Sequence, residues 1–141
     1  MIKMLFTDLL VTAGYAGIGL ALMAAGWALA DLATPGQPHR LVGVDRNRNA
    51  TIVLVSNIAS IAAIAAAAVT ADPGDVGGGM ATAAVLGLVG LIVLTGAFLL
   101  LDLATPGDLG QLIGEGQTHP AIWVTATARL AAGVIIAAAI S

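Results

Sequence analysis

The chain has 141 residues, of which 59% are hydrophobic and only 9% charged, and its mean hydropathy is +1.01. Soluble domains carry roughly 25% charged residues to solvate their surface, so this composition excludes an ordinary water-soluble protein. A formal charge of −3 with only five basic residues argues against a nucleic-acid partner, and the lack of cysteine excludes disulfides and thiolate chemistry.

Four apolar stretches are long enough to cross a hydrocarbon core of ~30 Å, which takes ~20 helical residues. Each is predicted to be a transmembrane helix, because a helix satisfies its own backbone hydrogen bonds within lipid. In chain order they cover about 9–30, 52–71, 76–101 and 120–140, and only the fourth contains a charge, Arg129. The first resembles a signal peptide, since Lys3 precedes it and Ala28-Leu29-Ala30 ends it. Its apolar run exceeds the usual ~7–15 residues, so we expect a retained helix.

A hexapeptide, Asp-Leu-Ala-Thr-Pro-Gly, occurs at 31–36 and again at 102–107, a spacing of 71 residues. The same spacing matches further residues on both sides, including Gly19 with Gly90, Trp27 with Phe98, Val42 with Ile113, Ala50 with Ala121 and Ser56 with Thr127. This unbroken register predicts a tandem duplication of a two-helix unit, with one repeat at 1–71 and the other at 72–141 in one membrane domain. Each unit has two spans, so both repeats should enter the membrane from the same side, related by a pseudo-twofold axis along the membrane normal. The predicted fold class is therefore all-α membrane, with four transmembrane helices from two parallel tandem repeats.

The hexapeptide itself is interpreted as a turn that sets the depth of the preceding helix. The aspartate is expected to lie in water, the threonine to cap the next helix, and the proline to occupy that helix's first position. A short interfacial helix is predicted after the second copy. A ligand or ion site built from the two aspartates is the alternative. The residues concerned are Asp31, Thr34, Pro35 and Gly36 in the first copy, and Asp102, Thr105, Pro106 and Gly107 in the second.

The positive charges predict the orientation. Arg40, Arg46 and Arg48 lie in the first hexapeptide loop, whereas only Lys3 lies on the opposite side. Because positive loops stay in the cytoplasm, both hexapeptide loops are predicted to be cytoplasmic and both termini to lie outside.

Arg129 is the most informative polar residue. It lies nine residues after Pro120, or ~13 Å along the fourth helix, near the middle of the membrane. A charge there costs at least ~3 kcal/mol against lipid, so Arg129 should face protein or water. Helical side chains lean toward their own N-terminus, so it should reach toward the level of Asp31 and Asp102. The candidate intramembrane polar site comprises Arg129, Asn57, Ser56, Ser60 and Thr125.

Two interpretations of Arg129 stay open. In one it is a structural charge, bonded to Asn57, to helix carbonyls or to a subunit partner. In the other it binds an anionic substrate or lines a pore. No acid–base pair and no metal-ligand spacing occurs, since His39 and His119 are isolated loop residues. The sequence therefore predicts no enzyme, no metal and no other cofactor.

Stripes of small residues indicate helix association. Ala13, Gly17, Ala21 and Ala25 follow one another at four-residue spacing on the first helix. Lipid supplies no hydrophobic drive for association, so membrane helices pack where small residues let their backbones approach. Four short helices offer more of this surface than one bundle needs, which favours a homo-oligomer or a subunit of a larger membrane complex.

An apolar helix ending in the hexapeptide, followed by Asn49-Ala50-Thr51-Ile52 at the start of the next helix, resembles the domain-of-unknown-function 350 family. The second copy continues with Pro120-Ala121-Ile122 and lacks the asparagine. The resemblance implies a short polytopic protein of the bacterial inner membrane, built from a repeated two-helix unit, and it implies no activity. The expected function is an oligomeric structural or accessory membrane component, with a channel or transporter using Arg129 as the alternative.

Overall fold

The structure, a computed structural model, describes residues 1–33, 48–71, 75–104 and 120–141. These residues form four long helices: α1 (Ile2–Ala33), α2 (Arg48–Thr70), α3 (Val76–Ala104) and α4 (Pro120–Ile140). Each is long and apolar enough to cross a membrane. The predicted all-α class with four membrane-spanning helices is confirmed.

The bounds of α3 and α4 agree closely with the predicted apolar stretches, and those of α1 and α2 agree less closely. α1 begins about seven residues earlier than its apolar run, because no proline or glycine interrupts the segment from Ile2 to Leu9. At 32 residues it is ~48 Å long, which exceeds the ~30 Å core, so its first turns extend beyond the hydrocarbon.

Both hexapeptide aspartates lie inside helices. Asp31 and Asp102 each belong to the last turn, since α1 continues to Ala33 and α3 to Ala104. Each helix therefore continues for two residues beyond its aspartate. The caps and turns predicted for the remaining hexapeptide residues, and the interfacial helix predicted after them, fall outside the described residues. These are Thr34, Pro35, Gly36, Thr105, Pro106 and Gly107.

The two hairpins lie side by side and run in the same direction. Gly14 lies against Met80 and Leu22 against Gly87, so α1 and α3 are parallel. In the same way Asn57 bonds to Arg129 and Ser60 contacts Gly133, so α2 and α4 are parallel. That the two halves are copies of one unit stays a prediction from the sequence.

The packing differs from that of a twofold arrangement. A twofold axis would make the contact between α2 and α3 equivalent to one between α1 and α4. Within the described helices, α2 packs against α3, whereas α1 and α4 have at most a marginal contact. The second hairpin is thus displaced sideways from the first, which leaves α2 in contact with all three other helices.

The interior and the exterior are both apolar, as expected for a protein whose solvent is lipid. Leu22, Ile64, Leu91 and Phe98 belong to the buried cluster that joins α1, α2 and α3. Large apolar side chains such as Leu20 and Ile135 are exposed on the outer surface. The polar groups buried at one level of this bundle form the candidate site.

Candidate functional site

Arg129 is enclosed by the bundle, with 0% of its side chain exposed. On α4 it belongs to the buried face that includes Thr125, Ala126 and Gly133, at three- and four-residue spacing. This face packs on α2, so the guanidinium enters the bundle rather than the lipid. The protein therefore has to solvate this charge itself.

The guanidinium is held by two other helices. Its Nη2 forms an ion pair with Oδ1 of Asp102 on α3 at 2.6 Å, and its Nη1 donates to Oδ1 of Asn57 on α2 at 3.2 Å. Asp102 lies at the C-terminal end of α3, where the helix dipole disfavours a carboxylate, and the cation of Arg129 offsets that repulsion. The charge of Arg129 is thus neutralised within one chain, by a carboxylate 27 residues away in sequence.

Phe98 supplies a third contact. The guanidinium carbon lies 4.6 Å from the centre of the Phe98 ring, within the range of a cation–π interaction. Phe98 precedes Asp102 by four residues, so one face of α3 presents both the ring and the carboxylate. We refer to Arg129, Asp102, Asn57, Phe98 and Ser60 as the Arg129 cluster.

Ser60 joins the cluster through the backbone. Its hydroxyl lies 2.8 Å from the carbonyl oxygen of Ser56 and 3.0 Å from that of Arg129, and shares its one proton between them. This contact between α2 and α4 needs Gly133, because a Cβ atom there would lie 2.7 Å from Cα of Ser60. The glycine lets the two backbones meet where Arg129 enters the bundle.

The amide nitrogen of Asn57, Nδ2, differs from the amide oxygen in its hydrogen bonding. Nδ2 is buried and finds no hydrogen-bond acceptor among the residues that the structure describes. A buried donor in this state costs about 1–3 kcal/mol, so Nδ2 is a candidate for a further hydrogen bond.

Two predicted site residues stay apart from the guanidinium. Ser56 donates to the carbonyl of Val53 at 2.7 Å, and Thr125 donates to the carbonyl of Ala121 at 2.9 Å. Both are buried, and both satisfy their hydroxyls within their own helices. They let the helices pack closely and contribute no side-chain bond to Arg129 in the described part of the chain.

Two residues of this region were missed by sequence reasoning. Phe98 appeared only as the repeat partner of Trp27, although its four-residue spacing from Asp102 could have indicated a shared face. Asn49, which appeared only in the family motif, is also buried, on the α2 face that carries Val53, Ser56 and Ser60. Its helical spacing from Ser56 was the available signal.

The described contacts of the cluster are an ion pair, hydrogen bonds and a cation–π contact. They include one carboxylate, which balances the charge of Arg129, together with an amide, a hydroxyl and a ring. Within residues 1–33, 48–71, 75–104 and 120–141, no group of three or more His, Asp or Glu could hold a metal ion.

A protein-family model described as Domain of Unknown Function (DUF350) matches residues 4–140 of the chain, which is nearly its whole length. The chain belongs to the DUF350 family. The family resemblance stated from the sequence is therefore confirmed.

Two relatives of this DUF350 chain are both named UPF0719 transmembrane proteins. It is 33% identical to a UPF0719 transmembrane protein of Mycolicibacterium paratuberculosis, over 90% of this chain and 84% of the relative. It is 34% identical to one from Mycobacterium bovis, over 88% of this chain and 82% of the relative. No solved structure matches. The names of these relatives, together with the four apolar helices, show that this DUF350 member is a multi-pass transmembrane protein. The names state no activity.

Proposed function

We propose that the protein is a non-enzymatic structural or accessory component of the bacterial inner membrane that works as a homo-oligomer. The observation that carries this proposal is the enclosure of Arg129. A guanidinium with no exposed surface, already bonded to Asp102 and Asn57, stabilises a bundle and leaves little capacity for a substrate.

The packing of α2 on α4 supports this interpretation over the channel alternative. A pore that used Arg129 would need water between these helices at its level. Instead Ser60 bonds to the carbonyl of Arg129 at 3.0 Å, and Gly133 lies against Ser60 with no room for a Cβ atom. The two helices are therefore in direct backbone contact beside the guanidinium.

Thiol labelling tests this point, because the chain has no native cysteine. Single cysteines along 56–63 and 125–132 are expected to resist a water-soluble thiol reagent in liposomes, since thiolates form only where water reaches them. A cysteine at Lys3, in the charged N-terminal segment, is the reactive control. Labelling with helical periodicity along α2 and α4 would support a water-filled path and contradict the accessory proposal.

The proposed oligomer is supported by α1. Three residues of its small stripe, Ala13, Gly17 and Ala21, are exposed in the monomer, and nothing lies within 4 Å of a Cβ built on Gly17, whereas Ala25 packs on the core. Close backbone approach at such stripes is the main way in which membrane helices associate. α1 also has the least buried span of the four helices, so it has the largest free surface for a second copy.

Gly17→Leu is expected to convert the oligomer to monomer, because the larger side chain holds the facing helix away. The monomer fold should persist, since the site is open in the monomer. Native mass spectrometry from lipid nanodiscs measures the copy number. Gly96→Leu is the matched control, because Gly96 on α3 is equally exposed and open, and it should leave the oligomer intact. A monomeric wild-type protein would contradict the proposal.

We further propose that both hexapeptide loops face the cytoplasm and both termini face outward. The support is the excess of arginine in the first loop and its extension to Arg48 at the start of α2. With the helices alternating in direction, the Arg129–Asp102 pair then lies toward the cytoplasmic end of the bundle, since Asp102 ends α3.

A further inference from the structure

Asn57 is a buried amide whose two polar atoms have different surroundings. The side chain is 1% exposed. Its oxygen accepts from Nη1 of Arg129 at 3.2 Å, which fixes the orientation of the amide because a guanidinium can only donate. Nδ2 therefore presents its N–H groups to the interior of the bundle, where the described residues offer it no acceptor.

The missing partner has to be a hydrogen-bond acceptor, and the charges indicate which kind. The positive charge of Arg129 is neutralised by Asp102 at 2.6 Å, so the cluster has no net charge with which to attract an anion. A neutral acceptor that can also donate suits a site that contains both carboxylate and amide oxygens. Water has this chemistry, and buried waters in proteins bond to otherwise unsatisfied polar groups.

The cluster connects this position to a partly exposed residue. Asp102 is 18% exposed at the end of α3, whereas Arg129, to which it is bonded, is completely enclosed. Asn57 is bonded to the same guanidinium. The ion pair and the hydrogen bond thus connect partly exposed Asp102 to buried Asn57 through Arg129.

We propose that Nδ2 of Asn57 donates to a water molecule buried inside the bundle beside the Arg129–Asp102 pair. The water belongs to the single chain, so the site does not depend on the oligomer. A single buried water is not a continuous aqueous path, so it would not produce periodic labelling along α2 and α4. The labelling experiment above and this site can therefore succeed or fail separately.

Solid-state NMR of the protein in lipid bilayers tests the site. With ¹⁵N-asparagine the chain has three labelled residues, Asn47, Asn49 and Asn57, and Asn57→Leu identifies the Asn57 signal by its loss. The expected result is rapid magnetisation transfer from water protons to Asn57 Nδ2, and exchange of that amide in deuterated buffer. The transfer should be unchanged when sulfate replaces chloride.

Three outcomes would overturn the proposal. One is the absence of transfer from water to Nδ2 under conditions where an exposed amide receives it. Another is a shift of the Nδ2 signal that follows chloride concentration, which would identify an anion. The third is a correlation between Nδ2 and a protein carbonyl, which would identify a protein acceptor.

Two variants test whether a polar group of Asn57 holds the water. Asn57→Leu removes both polar atoms of the side chain, whereas Asn57→Ser keeps a small donor. The water signal at the cluster, observed on the side chain of ¹⁵N-arginine at Arg129, should be lost in Asn57→Leu and retained in Asn57→Ser. Retention of the full signal in Asn57→Leu would contradict a water held by Asn57.

Discussion

Replacing Asp102 with leucine is expected to destabilise the protein by about 3–5 kcal/mol, the range measured when one partner of a buried ion pair is removed. The substitution leaves Arg129 charged, because a guanidinium does not lose its proton in proteins. It also leaves Arg129 fully enclosed without the carboxylate of its Asp102 ion pair, while its contacts with Asn57 and the Phe98 ring remain. Reversible unfolding in mixed micelles of increasing SDS fraction, followed by far-UV circular dichroism, measures the effect.

Arg129→Leu is the matched comparison, and it should cost less than Asp102→Leu. The carboxylate that remains is 18% exposed, so water can solvate it, whereas the arginine that remains in the other variant is 0% exposed. The double variant Arg129→Leu with Asp102→Leu should recover much of the stability lost in Asp102→Leu, because no uncompensated charge is left. Equal costs for the two single variants, or no recovery in the double variant, would contradict the ion pair.

Gly133→Ala is expected to destabilise the bundle by about 1–3 kcal/mol through overpacking, although alanine is the better helix former. The added Cβ would lie 2.7 Å from Cα of Ser60, and backbone cannot move aside as a side chain can. α2 and α4 must separate, which lengthens the bond from the Ser60 hydroxyl to the carbonyl of Arg129. The SDS unfolding midpoint measures the loss.

Two glycines on α3 provide controls for that prediction. Gly96→Ala should be neutral or stabilising by up to about 1 kcal/mol, because Gly96 is open and lies outside the proposed oligomer interface, and because alanine favours the helix. Gly90→Ala should be intermediate, because its Cβ would meet side-chain atoms, Cδ1 of Ile140 and Cγ2 of Ile64, rather than backbone. If Gly133→Ala unfolds at the same SDS fraction as Gly96→Ala, the close contact between α2 and α4 is wrong.

The helical architecture was predictable because the bilayer acts on each segment separately. A run such as 120–140 is apolar enough to enter lipid, and a backbone in lipid must be helical, so the bounds of α4 followed from composition alone. The start of α1 was less predictable, since nothing in the segment from Ile2 to Leu9 ends a helix once the apolar part has formed it. The lateral order of the helices was not predictable, and the expected twofold arrangement differs from the observed sideways one.

The candidate site was predictable in part, for an electrostatic reason. Arg129 could be assigned to the interior because a charge in lipid is costly at any position that faces outward. Its approach to the level of Asp102 followed from the direction in which helical side chains lean. The identity of its third contact could not be inferred, because Phe98 has an ordinary apolar side chain within an apolar helix.

By itself, the sequence determined that this chain crosses the membrane four times and that its one intramembrane arginine faces away from lipid, because the cost of exposing polar groups to hydrocarbon depends on each segment alone. Only the tertiary structure decided which groups contact the guanidinium of Arg129. Asp102, Asn57 and Phe98 come from two helices that are far from Arg129 in sequence, and their meeting depends on backbone contact at Ser60 and Gly133. Such a contact depends on how the surfaces of two helices fit together, and the hydropathy of each segment does not determine that fit.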